Sequence, residues 1–123
     1  MEFSVTTTTT ISTERMSDLL CCGMECGGYG DFEIVGYEPE AMSEACEFPH
    51  IEMPFLGGAV LMKDKYGDSD KVHRLDLEAM KRGLQVMAEK QPGAVRDLID
   101  ENEDVITGTI FIQCALLGEI IYG

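Results

Sequence analysis

Basic side chains are scarce in the first half of this chain. Among the first 62 residues only Arg15 is basic, against eleven carboxylates: Glu2, Glu14, Asp18, Glu25, Asp31, Glu33, Glu38, Glu40, Glu44, Glu47 and Glu52. The remaining 61 residues hold twelve acids and eight bases, and the net charge is −14. A field of this sign repels the phosphates of nucleic acid and of membrane surfaces and favours basic protein partners. Long apolar runs are missing as well. The most apolar window, Ile110 to Leu117, is eight residues, whereas a membrane-spanning helix needs about 20. The opening MEFSVTTTTT has neither the basic nor the apolar region of a secretory leader. Five cysteines, two of them adjacent at Cys21 and Cys22, are an odd set without a disulfide framework. These absences predict a cytoplasmic protein with reduced thiols, no membrane association and no direct contact with nucleic acid.

What is present suits a single domain spanning residues 1–123. Hydrophobic residues make up 45% of the chain, enough to lift it out of the disordered class. A chain of this length buries about two thirds of its unfolded surface around one core. Residues 2–11 alternate Phe3, Val5, Thr7 and Thr9 with Glu2, Ser4, Thr6 and Thr8, a period of two that predicts a strand. Ser12 is placed as an N-cap for a helix to residue 26, with Met16, Leu19, Leu20, Gly23 and Cys26 on one face and Gly27-Gly28 as its stop. Residues 31–37 read as a strand. The stretch 38–57, with Pro39, Pro49 and Pro54, reads as an excursion with one helical turn near Ala41–Cys46. Strands at 59–63 and 71–75 flank the turn DKYGDSD and form a hairpin.

The remainder predicts helices. One runs over 76–90 behind Asp76, with Leu77, Met80, Leu84, Met87 and Ala88 as its stripe. A second covers 92–102, with Val95, Leu98 and Ile99 inward. A third, over 108–121 with Thr107 as its cap, is apolar almost all round and supplies the core through Phe111, Cys114, Ala115, Leu117 and Ile121. The expected fold is therefore α+β, a small and mainly antiparallel sheet packed against three or four helices.

Chemistry-bearing residues are weak by pattern. Cys22 and Cys26, with Cys46 and His50, add up to a Cys3His donor set for zinc, yet the first two lie four apart on a helical face shared with Leu19, where cysteine packs as a small hydrophobe. Neither His50 nor His73 stands in a nucleophile signature, so an enzymatic role has little support and no cofactor is implied. His73 reads as an exposed position in a hairpin strand. Asp64, Asp68 and Asp70 lack the calcium-loop spacing and read as a solvated turn. The strongest functional signal is the segment 31–52, with Asp31, Glu33, Glu38, Glu40, Glu44, Glu47 and Glu52 and no Lys or Arg. Two residues apart on a strand are about 6.6 Å apart on one side, so Asp31 with Glu33, and Glu38 with Glu40 if extended, match the spacing of backbone phosphates. That predicts binding to a basic host protein through an acidic face. Met24, Met42 and Met53 are expected to add an adaptable contact surface.

Two stretches, LLCCGMECGG (19–28) and RLDLEAMKRGLQVMAEKQPGAVRDLIDENEDVITGTIFIQCALLGEIIYG (74–123), joined by FPHIEMPFLGGAVLMKD (48–64), resemble a group of short uncharacterised proteins encoded by bacteriophages and prophages. The resemblance covers about two thirds of the chain. It implies a phage-related protein acting in a bacterial host cell, and carries no catalytic residues with it. Here Gly27-Gly28-Tyr29-Gly30 stands where the group has an aromatic-rich stretch, Cys26 replaces a glycine and the middle is shorter. The function classes left by this reading are an accessory binding protein that inhibits a host or defence factor, a small structural protein that assembles with its own copies and, with least support, a small enzyme or zinc protein using Cys22, Cys26, Cys46 and His50.

Overall fold

A computed structural model describes residues 1–26, 31–67 and 70–122. Three strands, β1 (Phe32–Glu38), β2 (Ala59–Asp64) and β3 (His73–Leu75), form an antiparallel sheet in the order β1-β2-β3. Six helices accompany it among the described residues: α1 (Thr13–Cys21), α2 (Glu40–Glu44), α3 (Pro49–Glu52), α4 (Leu77–Lys90), α5 (Pro92–Ile99) and α6 (Val105–Leu117). The α+β expectation holds. The expected stop at Gly27-Gly28 lies outside the described residues, as does Asp68.

Register sorts the sheet into two faces. Val60 pairs with Leu75 and Met62 with His73 and Ile34, so Val60, Met62, Leu75 and Phe32 turn one face to the helices. Glu33 and Lys63 pair on the opposite face, where Leu61 lies beside Arg74. Between Ile34 and Gly36 a bulge at Val35 breaks the ladder and keeps the alternation in phase with the core. His73 belongs to the buried face, edge-on to Phe32 with ring centroids 6.3 Å apart. The exposed position expected for it is thus corrected: the hairpin is three residues deep and its alternation turns His73 inward.

α6 is the spine, in contact with α1, α4, α5 and β3. Its start is one turn earlier than expected. Asp104, not Thr107, is the N-cap, and its carboxylate accepts the Thr107 N–H at 3.0 Å while the Thr107 hydroxyl accepts the Asp104 N–H at 3.3 Å. This reciprocal box satisfies two orphan donors of the first turn. Phe111, Cys114 and Ala115 are buried as expected. Leu117 is only half-buried and Ile121 is 54% exposed, because the helix ends in a left-handed Gly118 and the chain turns out of it. The tail is held by Gln113, buried to 1% exposure, whose side-chain oxygen accepts the Ile121 and Tyr122 N–H groups at 2.8 and 2.7 Å.

Close helix contacts depend on absent side chains. A Cβ on Gly83 of α4 would lie 2.6 Å from the Ala115 Cα. A Cβ on Gly23, in the π-helical turn Cys22–Cys26 that continues α1, would lie 2.8 Å from the Gly108 carbonyl oxygen.

The expected strand at 2–11 does not form. Residues 1–10 are exposed and belong to no element, and only Ile11 packs against the core. Period-two alternation describes a chain suited to a sheet, but a strand also needs a neighbour for its N–H and C=O groups. This segment finds none in its own chain among the described residues.

Candidate functional site

The segment between β1 and β2 carries Glu40, Glu44, Glu47 and Glu52 and no Lys or Arg. Glu38 ends β1, and Pro39 starts α2 in extended geometry that suits its fixed φ. Met42 packs against the core, so α2 is pinned by one side chain and presents Glu40, Ala41 and Glu44 outward. The Cys46 thiol donates to the Met42 carbonyl at 3.3 Å, and the chain re-enters a helix at Pro49. The Glu52 carboxylate accepts the Phe48 N–H at 2.5 Å, tying the start of α3. Met53 is fully buried and Met24 and Met42 pack half-buried on the core, so these methionines serve the interior and not the contact surface expected of them.

The seven carboxylates divide by what they face. Glu38 pairs with Arg74, Glu33 stands opposite Lys63 across the sheet, and Glu52 turns back onto its own helix. Asp31 is half-buried and lines, with Lys65, a cleft of about 200 Å³ floored by Phe32, Met62 and Ile112. Glu38 lies in a strand while Glu40 begins a helix, so the phosphate-like spacing of an extended pair does not apply to these two. Glu40, Glu44 and Glu47 remain. All three are exposed and have no ion pair among the described residues.

Glu40 sits in the first turn of α2, where an anion is favoured, but Glu44 opposes local electrostatics. Glu40 and Glu44 are four apart on α2, where like charges cost about 0.2–0.5 kcal/mol. Glu44 also sits in the last turn, the end at which a helix disfavours anions, and no basic residue offsets it. Phe48, 49% exposed, follows Glu47 directly and adds an apolar surface beside the acids.

The thiols and histidines form other ties. The Glu25 carboxylate accepts the Cys21 thiol at 3.1 Å and meets His50 Nε2 at 2.5 Å. Cys21 and then His50 hold this carboxyl below its usual range, against the pull of burial. An activated thiol needs a base against its sulfur. Here the group hydrogen-bonded to the Cys21 sulfur is the Glu25 carboxylate, which also meets His50. Cys46 lies with Met42 and Met53, and burial, aided by the Glu52 charge, pushes its thiol up. Among the described residues, no group of three or more His, Cys, Asp or Glu side chains is arranged to hold a metal ion. The side chain of Cys26 lies outside the described residues.

Two clusters carried no readable signal. Asp64 is buried at 7% exposure rather than solvated, and both its oxygens accept the Tyr122 hydroxyl at 2.7 Å. Burial pushes the Asp64 carboxyl up, but Tyr122 and the Tyr66 and Gly67 amides together hold it below its ordinary value. Arg15 pairs with Asp18 at 2.7 Å and with Glu103, and donates to the Leu98 carbonyl at 3.1 Å. The lone basic residue of the first half is thus spent on joining α1 to the loop between α5 and α6. Partners 58 and 83 residues apart leave no local spacing to read. The Cys21–Glu25 pair, by contrast, sits at a visible interval of four. No helix is long and apolar enough to cross a membrane among the described residues. No family model matches the chain, and no curated protein or solved structure matches it.

Proposed function

We propose that this chain is an accessory binding protein of the bacteriophage type. It engages a basic protein of the bacterial host through the acidic surface of α2 and the turn that follows. In its sharpest form it inhibits a nucleic-acid-handling or defence factor by occupying a groove built for phosphates. The observation that carries this reading is the trio Glu40, Glu44 and Glu47, exposed and without cationic partners among the described residues, with Glu44 at the end of α2 that disfavours an anion. A basic partner relieves the repulsion between Glu40 and Glu44 and the unfavourable position of Glu44. A net charge of −14 adds long-range steering toward such a partner and away from nucleic acid.

Affinity capture from bacterial lysate at low salt and at about 0.5 M salt, with mass spectrometry of what is retained, tests this. At the higher salt the Debye length is about 4–5 Å, so contacts held by exposed charge weaken. The expected result is one basic, nucleic-acid-binding host protein at low salt that is largely lost at high salt. Retention of the same protein at both salts, or capture of no basic protein at low salt, contradicts the proposal.

A further inference from the structure

Residues 1–10 form an exposed arm outside any helix or strand, with Met1, Phe3 and Val5 at 108%, 90% and 87% exposure. Its apolar and β-branched side chains alternate as a strand requires, and residues 3–13 carry no charge in a chain of net −14. The arm leaves the body along α4 and α5, where Thr7, Thr8 and Thr9 lie beside Leu84, Ala88 and Val95. α4 contacts β3, one edge of the sheet. β1 is the opposite edge of the sheet.

β1 is the edge that lacks a strand. The Asp31 carbonyl accepts the Lys65 N–H at 2.8 Å, which by alternation turns the backbone groups of Asp31 and Glu33 to β2 and those of Phe32 and Ile34 away from it. Among the described residues no backbone group outside β2 bonds to β1. Ile34 and Val35 are 40% and 46% exposed on this edge. An open edge with exposed apolar side chains is a template for an added strand. β3, at three residues, is too short to be one.

We propose that the arm of one copy adds as a fourth strand to the β1 edge of a second copy, and that the exchange is reciprocal and closes a two-fold dimer. Charge selects this occupant. Two bodies of net −14 repel, and Glu33 and Glu38 flank the edge. An uncharged arm approaches that edge without adding to the repulsion. At about 3.3 Å per residue, the eight uncharged residues from Phe3 to Thr10 cover the whole of a seven-residue strand. The dimer does not depend on the acidic surface having a host partner.

Light scattering coupled to size-exclusion chromatography of the full chain, from micromolar to about 100 µM, tests the proposal together with the variant V5P/T6P. Adjacent prolines remove the arm's donors on both sides of the strand, and no residue from 1 to 10 bonds within its own chain among the described residues, so the body is left intact. The unmodified chain is expected at twice the 13.6 kDa chain mass and the variant at that mass. Dimerisation should persist at 0.5 M salt, and exchange of the Phe32 and Ile34 amides should accelerate at least tenfold in the variant. A single-chain mass for the unmodified protein overturns the proposal, as does a doubled mass that survives V5P/T6P.

Discussion

Replacing Gly83 by alanine should destabilise this protein, although alanine is the better helix former by about 1 kcal/mol. The new Cβ would lie 2.6 Å from the Ala115 Cα and 2.7 Å from its N and Cβ, where carbon contacts settle at about 3.5–4.0 Å. The obstacle is backbone, so α4 and α6 must separate by about 1 Å, the difference between those distances. α6 also packs on α1, α5 and β3, and moving it opens gaps on those sides. Overpacking a dense core costs about 1–3 kcal/mol, and a backbone obstacle belongs at or beyond the top of that range. Subtracting the propensity gain leaves a net loss of about 2 kcal/mol. With a urea m-value of about 2 kcal/mol/M, the midpoint should fall by about 1 M. Gly93 is the control: it is exposed in α5 and nothing lies within 4 Å of its Cβ position. Gly93→Ala should therefore stabilise by up to about 1 kcal/mol and raise the midpoint by up to about 0.5 M. A Gly83→Ala midpoint equal to or above that of the unmodified chain would refute the close α4–α6 crossing.

Leu98 is fully buried, whereas Leu84 is only half-buried. Leu98→Ala should cost about 2–5 kcal/mol in urea melts and Leu84→Ala distinctly less; equal losses would contradict the burial pattern. In alkali, the Asp64 hydrogen bond foremost, and burial after it, push the Tyr122 hydroxyl up to about 12. The unfolded chain loses this proton near pH 10, so the contribution to stability is whole below about pH 10 and lost between about pH 10 and 12. Tyr122→Phe should flatten the decline in that window, and an unchanged slope counts against the Tyr122–Asp64 contact. On the acid side, burial first and Lys71 second hold His73 below its usual range, partly opposed by the Leu116 carbonyl and Asp64. The unfolded chain takes up this proton first, so stability should fall as pH drops below about 6.5. His73→Gln should lessen that slope, measured by thermal melts between pH 7 and 5.

Elements with strong local signals were legible in the residues. Asp76 caps α4 through the Ala79 N–H at 2.8 Å, and Pro92 opens α5, as composition at those positions predicts. The hairpin of β2 and β3 lies where the turn residues put it. Legibility ends where an outcome depends on a distant partner. The arm has the pattern of a strand and lacks a neighbour. Leu117 and Ile121 follow the apolar run, yet Gly118 ends the helix between them and Gln113 holds the tail in another path. α5 stops at Ile99 rather than 102, and Glu101 just beyond it adopts a positive φ of 60°. The acidic segment was legible as a run but not as a surface. Register sets Lys63 across from Glu33, and packing brings Arg74 to Glu38. Neither follows from spacing along the chain, and both shift the weight of the candidate site toward Glu40, Glu44 and Glu47.

The central claim is tested most directly by comparing two charge-removing variants in the same low-salt capture from bacterial lysate. E40Q/E44Q/E47Q removes carboxylates that have no cation partner among the described residues, and E33Q/E38Q removes two that face Lys63 and Arg74. The account predicts that the first variant loses the basic host protein while the second keeps most of it. Retention by E40Q/E44Q/E47Q, or loss confined to E33Q/E38Q, would contradict it.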